Sequence, residues 1–259
     1  MKALRKPNTS SNDELPNLAA INAKFKAVST NPNHTHLNAQ RSELLEKLEA
    51  FDREHHRDPT QSLARPYTSQ EVSWAMSSLK LKKAAGYDRI KAEHLRLCLT
   101  SPLFVSKLLV LFNEALIKPP RIWKRALLVP IEKPKKSDDD PTSYRPIALL
   151  SVLYKCWEAV IARRITEHYA REHLDGALKS QFGFLPGRGT QNALVYILER
   201  IRRARQRGKI LLLCSLDFSK AFDRAPINVI IDKLMKLTGD TSLCKLILEL
   251  NRNRKKNHR

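Results

Sequence analysis

Asp217 is the residue of this chain best placed to do chemistry. It ends the segment KILLLCSLDFS, where an uninterrupted apolar run gives way to a carboxylate. A continuous apolar run of that length is expected to be a strand buried on both faces. An unpaired carboxylate in such a setting costs roughly several kcal/mol, so the Asp217 side chain is expected to meet water, a cation or a metal ion at the sheet edge. A helix cap or turn residue is the alternative. The second candidate is a basic stripe: Arg200, Arg203 and Arg207 follow one another at three- and four-residue spacing, opposite an apolar face of Leu194, Ile197, Leu198 and Ile201. On a helix that stripe suits a rail for phosphates, and equally a solvated face. Asp138, Asp139 and Asp140 lie in the polar, proline-bounded KPKKSDDDPTSY and mark an exposed loop tip rather than a metal cluster. His55 and His56 point in different directions on a helix and have no acidic or cysteine ligands near them in sequence, so they suit a solvated pair.

These groups must be positioned by elements whose signals are mostly local. Thr68 followed by Glu71 predicts a reciprocally capped helix start, with the helix over 69–82. Ser101–Pro102 opens a second helix to about Ile117, apolar enough to be buried on most sides. Before them, LNAQRSELLEKLEAFDREHHRD carries Leu44, Leu45, Leu48 and Phe51 at the spacing of a surface helix. KRALLVPIEK (124–133) and RPIALLSV predict a hairpin with a basic mouth. A helix from Leu153 to about 173 places Trp157, Val160, Ile161, Ile165 and Tyr169 on its apolar stripe and Arg163, Arg164 and Arg171 off it. QFGFLPGRGT is a turn, and two helical patterns after Ile230 precede the basic NRNRKKNHR.

Composition narrows the partners. Forty-seven Lys plus Arg against 26 Asp plus Glu give a net charge of +21 over 259 residues, a field that favours a polyanion, nucleic acid first. Cys98, Cys156, Cys214 and Cys244 form no CxxC pair, which argues against a zinc site or a disulfide framework and suits a reducing compartment. No apolar run reaches the roughly 18 residues of a membrane helix, and MKALRKPNTS lacks a secretory leader's apolar stretch. A soluble, intracellular protein without membrane partners is expected.

Four segments in order carry a family resemblance. KKAAGYDRIKAEHL is similar to the K-(A/S)-P-G-P-D-G signature that precedes the fingers of non-LTR retrotransposon reverse transcriptases. ALLVPIEKPKKSDDDPTSYRPIALLSVLYKCWEAVIARRI resembles their fingers, QFGFLPGRGTQNAL the loop and helix that follow, and SLDFSKAFDRAP the first palm motif, most like the jockey group. The resemblance implies an α/β fold, an incomplete right-hand polymerase of fingers and the start of the palm with a helix-rich N-terminal part. It divides the chain into an extension at 1–60, fingers at 61–208 and a truncated palm at 209–259. It further implies two Mg²⁺ (or Mn²⁺) ions, an RNA template, a DNA primer and dNTP substrates, and action in the nucleus or cytoplasm.

Carried over residue by residue, Asp217 becomes the first metal-binding aspartate and Phe218 offers its backbone carbonyl. Phe222 becomes an aromatic gate under the sugar, Lys133 and Arg145 grip the triphosphate, and Gly187, Arg188 and Gly189 lie near the template. Asp223 is expected to pair locally. The sequence departs from the pattern at Ala85, Tyr87 and Arg89, where the family has two prolines and a glycine, and no Asp-Asp pair follows Asp217. This polypeptide alone is therefore expected to have little or no polymerase activity. A basic, non-catalytic RNA- or DNA-binding remnant is the competing reading.

Overall fold

The computed structural model of the chain describes Ala23 and residues 34–55, 58–133, 143–173, 180–218, 225–251 and 255–258. Asp138–Asp140, His56, Phe222 and Asp223 fall outside them. The capping signals act where the sequence puts them. Thr68 Oγ1 accepts from the Glu71 N–H and Glu71 Oε2 accepts from the Thr68 N–H, starting a helix that ends at Ser77 rather than 82. Ser101 Oγ accepts from the Phe104 N–H and Pro102 takes the first helical position, where its missing N–H loses nothing.

In chain order the helices are α1 (His34–Glu54), α2 (Ser69–Ser77), α3 (Ala92–Cys98), α4 (Pro102–Ile117), α5 (Val152–His173), α6 (Thr190–Gln206), α7 (Ile227–Thr238) and α8 (Thr241–Asn251). The strands are β1 (Arg125–Glu132), β2 (Tyr144–Leu149) and β3 (Lys255–His258), arranged β2–β1–β3 with the first pair antiparallel and the second parallel. The expected hairpin is therefore present. β3, from the basic tail, was not expected from sequence.

The main core gathers α2–α5 and α8 around Tyr67, Phe112, Trp123, Tyr154 and Trp157, whose rings sit 5.8–6.1 Å apart in edge-on, tilted and stacked pairs. Their polar ends are satisfied: Trp157 Nε1 donates to the Phe112 carbonyl and the Tyr67 hydroxyl to that of Trp157, each at 3.0 Å. A smaller cluster joins α1 to α7 and α8 through Leu44, Leu48, Ile231, Cys244 and Leu248. Asp240 links the two. Fully buried, it accepts from the Leu243 N–H at the start of α8 and from Ser62 and the Leu63 N–H, tying the turn before α2 to the C-terminal helices.

Two expectations are corrected here. α4 is buried on one side only, with Leu103, Val110 and Ile117 exposed every seventh residue on the other. Arg164, expected off the apolar stripe, is instead buried, 4% exposed. Its guanidinium forks onto Glu71 at 2.7 Å on both arms and also donates to the Leu63, Arg65 and Pro66 carbonyls. Burial is tolerated because the donors of that planar fork meet fixed oxygens.

Candidate active site and basic surface

The hairpin register decides where Lys133 and Arg145 lie. Ile131 opposes Arg145, Glu132 opposes Tyr144, and the ladder continues one step to Lys133, whose N–H donates to the Ser143 carbonyl at 2.7 Å. Side chains alternate faces along a strand, so Lys133, Ile131 and Arg145 share one face, and Lys133 and Arg145 are diagonal neighbours about 7–8 Å apart. The opposite face carries Ala126 and Leu128, both buried. The two cations thus sit on the open face at the hairpin mouth. Pro130 opposes Pro146 one step along; that pair falls between hydrogen-bonded pairs, so neither proline deletes a bond of this ladder.

What holds the hairpin in place was not legible as function. A Cβ on Gly86 would lie 2.5–2.6 Å from the backbone of Leu150 and Ser151, so the AAGYD loop sits directly against the β2–α5 junction and only glycine fits. Asp88 reinforces the contact, its Oδ2 accepting from Ser151 Oγ at 2.5 Å. Arg125, the first residue of β1, lies over the Tyr87 ring at 5.4 Å. The resemblance marked the Gly86 loop as a family signature; the structure shows the packing that requires it.

The glycine-rich turn and α6 form a second basic surface. Gly187 has φ +70°, in the left-handed region that glycine tolerates, and Gly189 N–H donates to Asn192 Oδ1 at the start of α6. Arg188 closes the turn by donating to the Gln181 carbonyl at 3.1 Å. Along the helix, Arg200 lies over the Tyr196 ring and donates to its hydroxyl at 2.6 Å, while Arg202 and Arg203 both hold Glu199 at 2.7–2.8 Å. Hydrogen bonds from those two arginines bring the Glu199 carboxyl down to about 2. Of the predicted rail, Arg203 is engaged by its own helix, and Arg207 stands exposed where the helix ends. None of the apolar residues of α6 is buried.

Asp217 and Phe218 lie in a setting unlike the one expected. Residues 209–218 form neither helix nor strand, and Ile210, Leu212, Leu216 and Phe218 are 82–92% exposed. A buried strand needs partners at its edges and cover on its faces, and no described strand pairs with this segment. Asp217 is exposed, so burial does not itself demand a cation there. No group of three His, Cys, Asp or Glu able to hold a metal ion occurs among the described residues. Asp217 is a single carboxylate, short of what two hard cations need. Burial pushes the Cys156 and Cys244 thiols, both remote in sequence from Asp217, up to about 12.

Residues 131–259 match the family model for reverse transcriptase (RNA-dependent DNA polymerase). The chain is 32% identical over 176 residues to a probable RNA-directed DNA polymerase from transposon BS of Drosophila melanogaster, a match covering 67% of this chain and 19% of that protein. It is 35% identical over 164 residues to the RNA-directed DNA polymerase from mobile element jockey of Drosophila funebris, covering 62% and 17% respectively. Similarity extends to the retrovirus-related Pol polyprotein of a type-1 retrotransposable element of Bradysia coprophila, 28% identical over 173 residues, 64% of this chain and 16% of that one. The chain thus spans less than a fifth of the length of these relatives.

Proposed function

Since the chain belongs to the reverse transcriptases of non-LTR retrotransposons, we propose that it is the fingers region and the start of the palm of a right-hand RNA-directed DNA polymerase. Its substrates are an RNA template, a DNA primer and deoxynucleoside triphosphates. The observation that carries the reading furthest is the hairpin register, which sets Lys133 and Arg145 diagonally on one open face. A triphosphate is a linear polyanion, and a guanidinium and an ammonium at that spacing grip adjacent phosphates without competing for one. Phe222, outside the described residues, is the proposed gate beneath the sugar. Gly187, Arg188 and Gly189, with Arg200, Arg203 and Arg207, line the path of the template.

The metal would be Mg²⁺ or Mn²⁺, which would supply Lewis-acid neutralisation of charge on the triphosphate. Asp217 and the Phe218 carbonyl are the proposed ligands. They do not by themselves suffice for two ions. The protein acts inside the cell, in nucleus or cytoplasm; among the described residues no helix is long and apolar enough to cross a membrane.

The test is filter binding of labelled dNTP and of template–primer to the purified chain, with primer extension in parallel. Lys133→Ala and Arg145→Ala each weaken dNTP retention about tenfold, the loss of one charge-assisted bond, and leave folding unchanged. Retention unaffected by either change refutes the grip. Extension that disappears in Asp217→Ala refutes the single-carboxylate argument.

A further inference from the structure

β2, which carries Arg145, is lightly anchored along its length. It lies at an edge, laddered to β1 alone among the described strands, and none of its residues is buried. β1 is held by β2, by β3 along its other edge, and by the buried Ala126 and Leu128. Lys133 follows directly from β1, so its place rests on anchors that β2 lacks. The position of β2 relative to β1 therefore depends strongly on the root of the strand, Leu150–Ser151, where it turns into α5.

The loop before α3 grips that root. Gly86 lies against the Leu150–Ser151 backbone, and the Arg89 N–H donates to the Gly86 carbonyl at 3.1 Å, which closes the loop on itself. Asp88 spans from the loop to the root: its Oδ1 accepts from the Ile90 N–H at 3.2 Å and its Oδ2 from Ser151 Oγ at 2.5 Å. Ser151 is 2% exposed and, while donating to Asp88, accepts from the Tyr154 N–H at 3.4 Å, capping α5. A hydroxyl donating to a carboxylate makes a short, charge-assisted bond, stronger than its neutral counterpart. One carboxylate thus joins the end of β2 and the start of α5 to a loop of fixed shape.

We propose that Asp88 is a positioning residue for Arg145: through Ser151 it fixes the root of β2 and so holds the guanidinium at its diagonal spacing from Lys133. The inference rests on the reading of Lys133 and Arg145 as the triphosphate grip, and it adds a residue that acts on the grip from the far end of the strand. A placed binding group tolerates a displacement of about 0.5 Å. Release of the root is therefore felt at Arg145, while Lys133, anchored through β1, keeps its contact.

Retention of labelled dNTP on the full chain tests it, with circular dichroism on each variant. Asp88→Ser keeps a side-chain acceptor for the Ile90 N–H but is one bond too short to hold Ser151. It is expected to weaken retention about fivefold, short of the roughly tenfold loss from deleting the guanidinium outright. Groups that act through one another are non-additive, whereas independent ones add. Asp88→Ser therefore changes nothing further in an Arg145→Ala background and shows its full effect in a Lys133→Ala background. A general loosening of the fold weakens both backgrounds alike. Ser151→Ala breaks the same bond from the other side and gives the same pattern, and it carries the test if Asp88→Ser does not fold. Unchanged retention, or equal losses in the two backgrounds, overturns the proposal and leaves the grip standing. Retention indifferent to Arg145→Ala overturns the grip, and this inference with it.

Discussion

Replacing Arg164 with methionine removes the most heavily bonded side chain of the core while nearly preserving its volume. The guanidinium makes two 2.7 Å bonds to the Glu71 carboxylate and three to main-chain carbonyls, at 2.9 Å to Leu63, 2.6 Å to Arg65 and 3.0 Å to Pro66. It also lies 4.9 Å over the Tyr67 ring. Methionine leaves three carbonyls without this donor and a half-buried carboxylate without its cation. Breaking a buried pair by deleting one partner costs about 3–5 kcal/mol, a large part of the roughly 5–15 kcal/mol that holds a domain together. Glu71→Gln replaces one accepting oxygen with an NH2 donor facing donors and leaves the buried Arg164 charge without its counter-ion, so it too costs about 3–5 kcal/mol.

The pair also predicts a pH dependence. Burial pushes the Glu71 carboxyl up, but the bonds from Arg164 and Thr68 outweigh it and hold the group below its ordinary value. A depressed carboxylate contributes stability that is complete above the unfolded value of about 4.3. That stability is lost as pH falls through the lower folded value. Urea unfolding followed by the fluorescence of buried Trp123 and Trp157 measures both effects. An Arg164→Met protein within about 1 kcal/mol of the parent, an ordinary surface effect, refutes the reasoning, as does an unchanged acid limb in Glu71→Gln.

Gly86→Ala drives a methyl group into the Leu150–Ser151 backbone. It is expected to cost about 1–3 kcal/mol and to weaken dNTP retention as well, because the displaced segment carries β2 and Arg145. Binding to single-stranded RNA should fall steeply with salt, and Arg200→Ala or Arg207→Ala should each flatten the log–log slope by about 0.7. Glu199→Gln frees Arg202 and Arg203 from the carboxylate they share, so RNA affinity at low salt should rise in filter binding.

The elements legible in the sequence are those whose signals are local. Thr68 with Glu71, Ser101 with Pro102, and the two extended pieces 124–133 and RPIALLSV on either side of a proline-bounded loop each specify a few residues at short range, and the structure follows them within several positions. Arg164 defeats that kind of reading because the partner that makes its burial possible, Glu71, is 93 residues away. A charge beside an apolar stripe looks solvated until its partner is known. β3 defeats it for a different reason: KKNH has no strand pattern of its own and pairs along the edge of β1 that β2 leaves open. At the site, the family resemblance pointed to Lys133 and Arg145, but their common face is a property of the register.

The segment 209–218 is the instructive failure. ILLLCSL has every intrinsic mark of a buried strand, yet it is exposed and irregular. A strand is not a property of one segment as a helix nearly is: its hydrogen bonds leave the chain sideways, and its apolar faces are satisfied only by other layers. An apolar pattern therefore states a demand for partners. α6 shows the same demand on a helix, which forms from its own i to i+4 bonds although none of its apolar residues is buried. The helix without a partner remains a helix, and the strand without one is not a strand. Asp217 inherits that condition, since a carboxylate is held in a fixed place only when the backbone beneath it is laddered to something else.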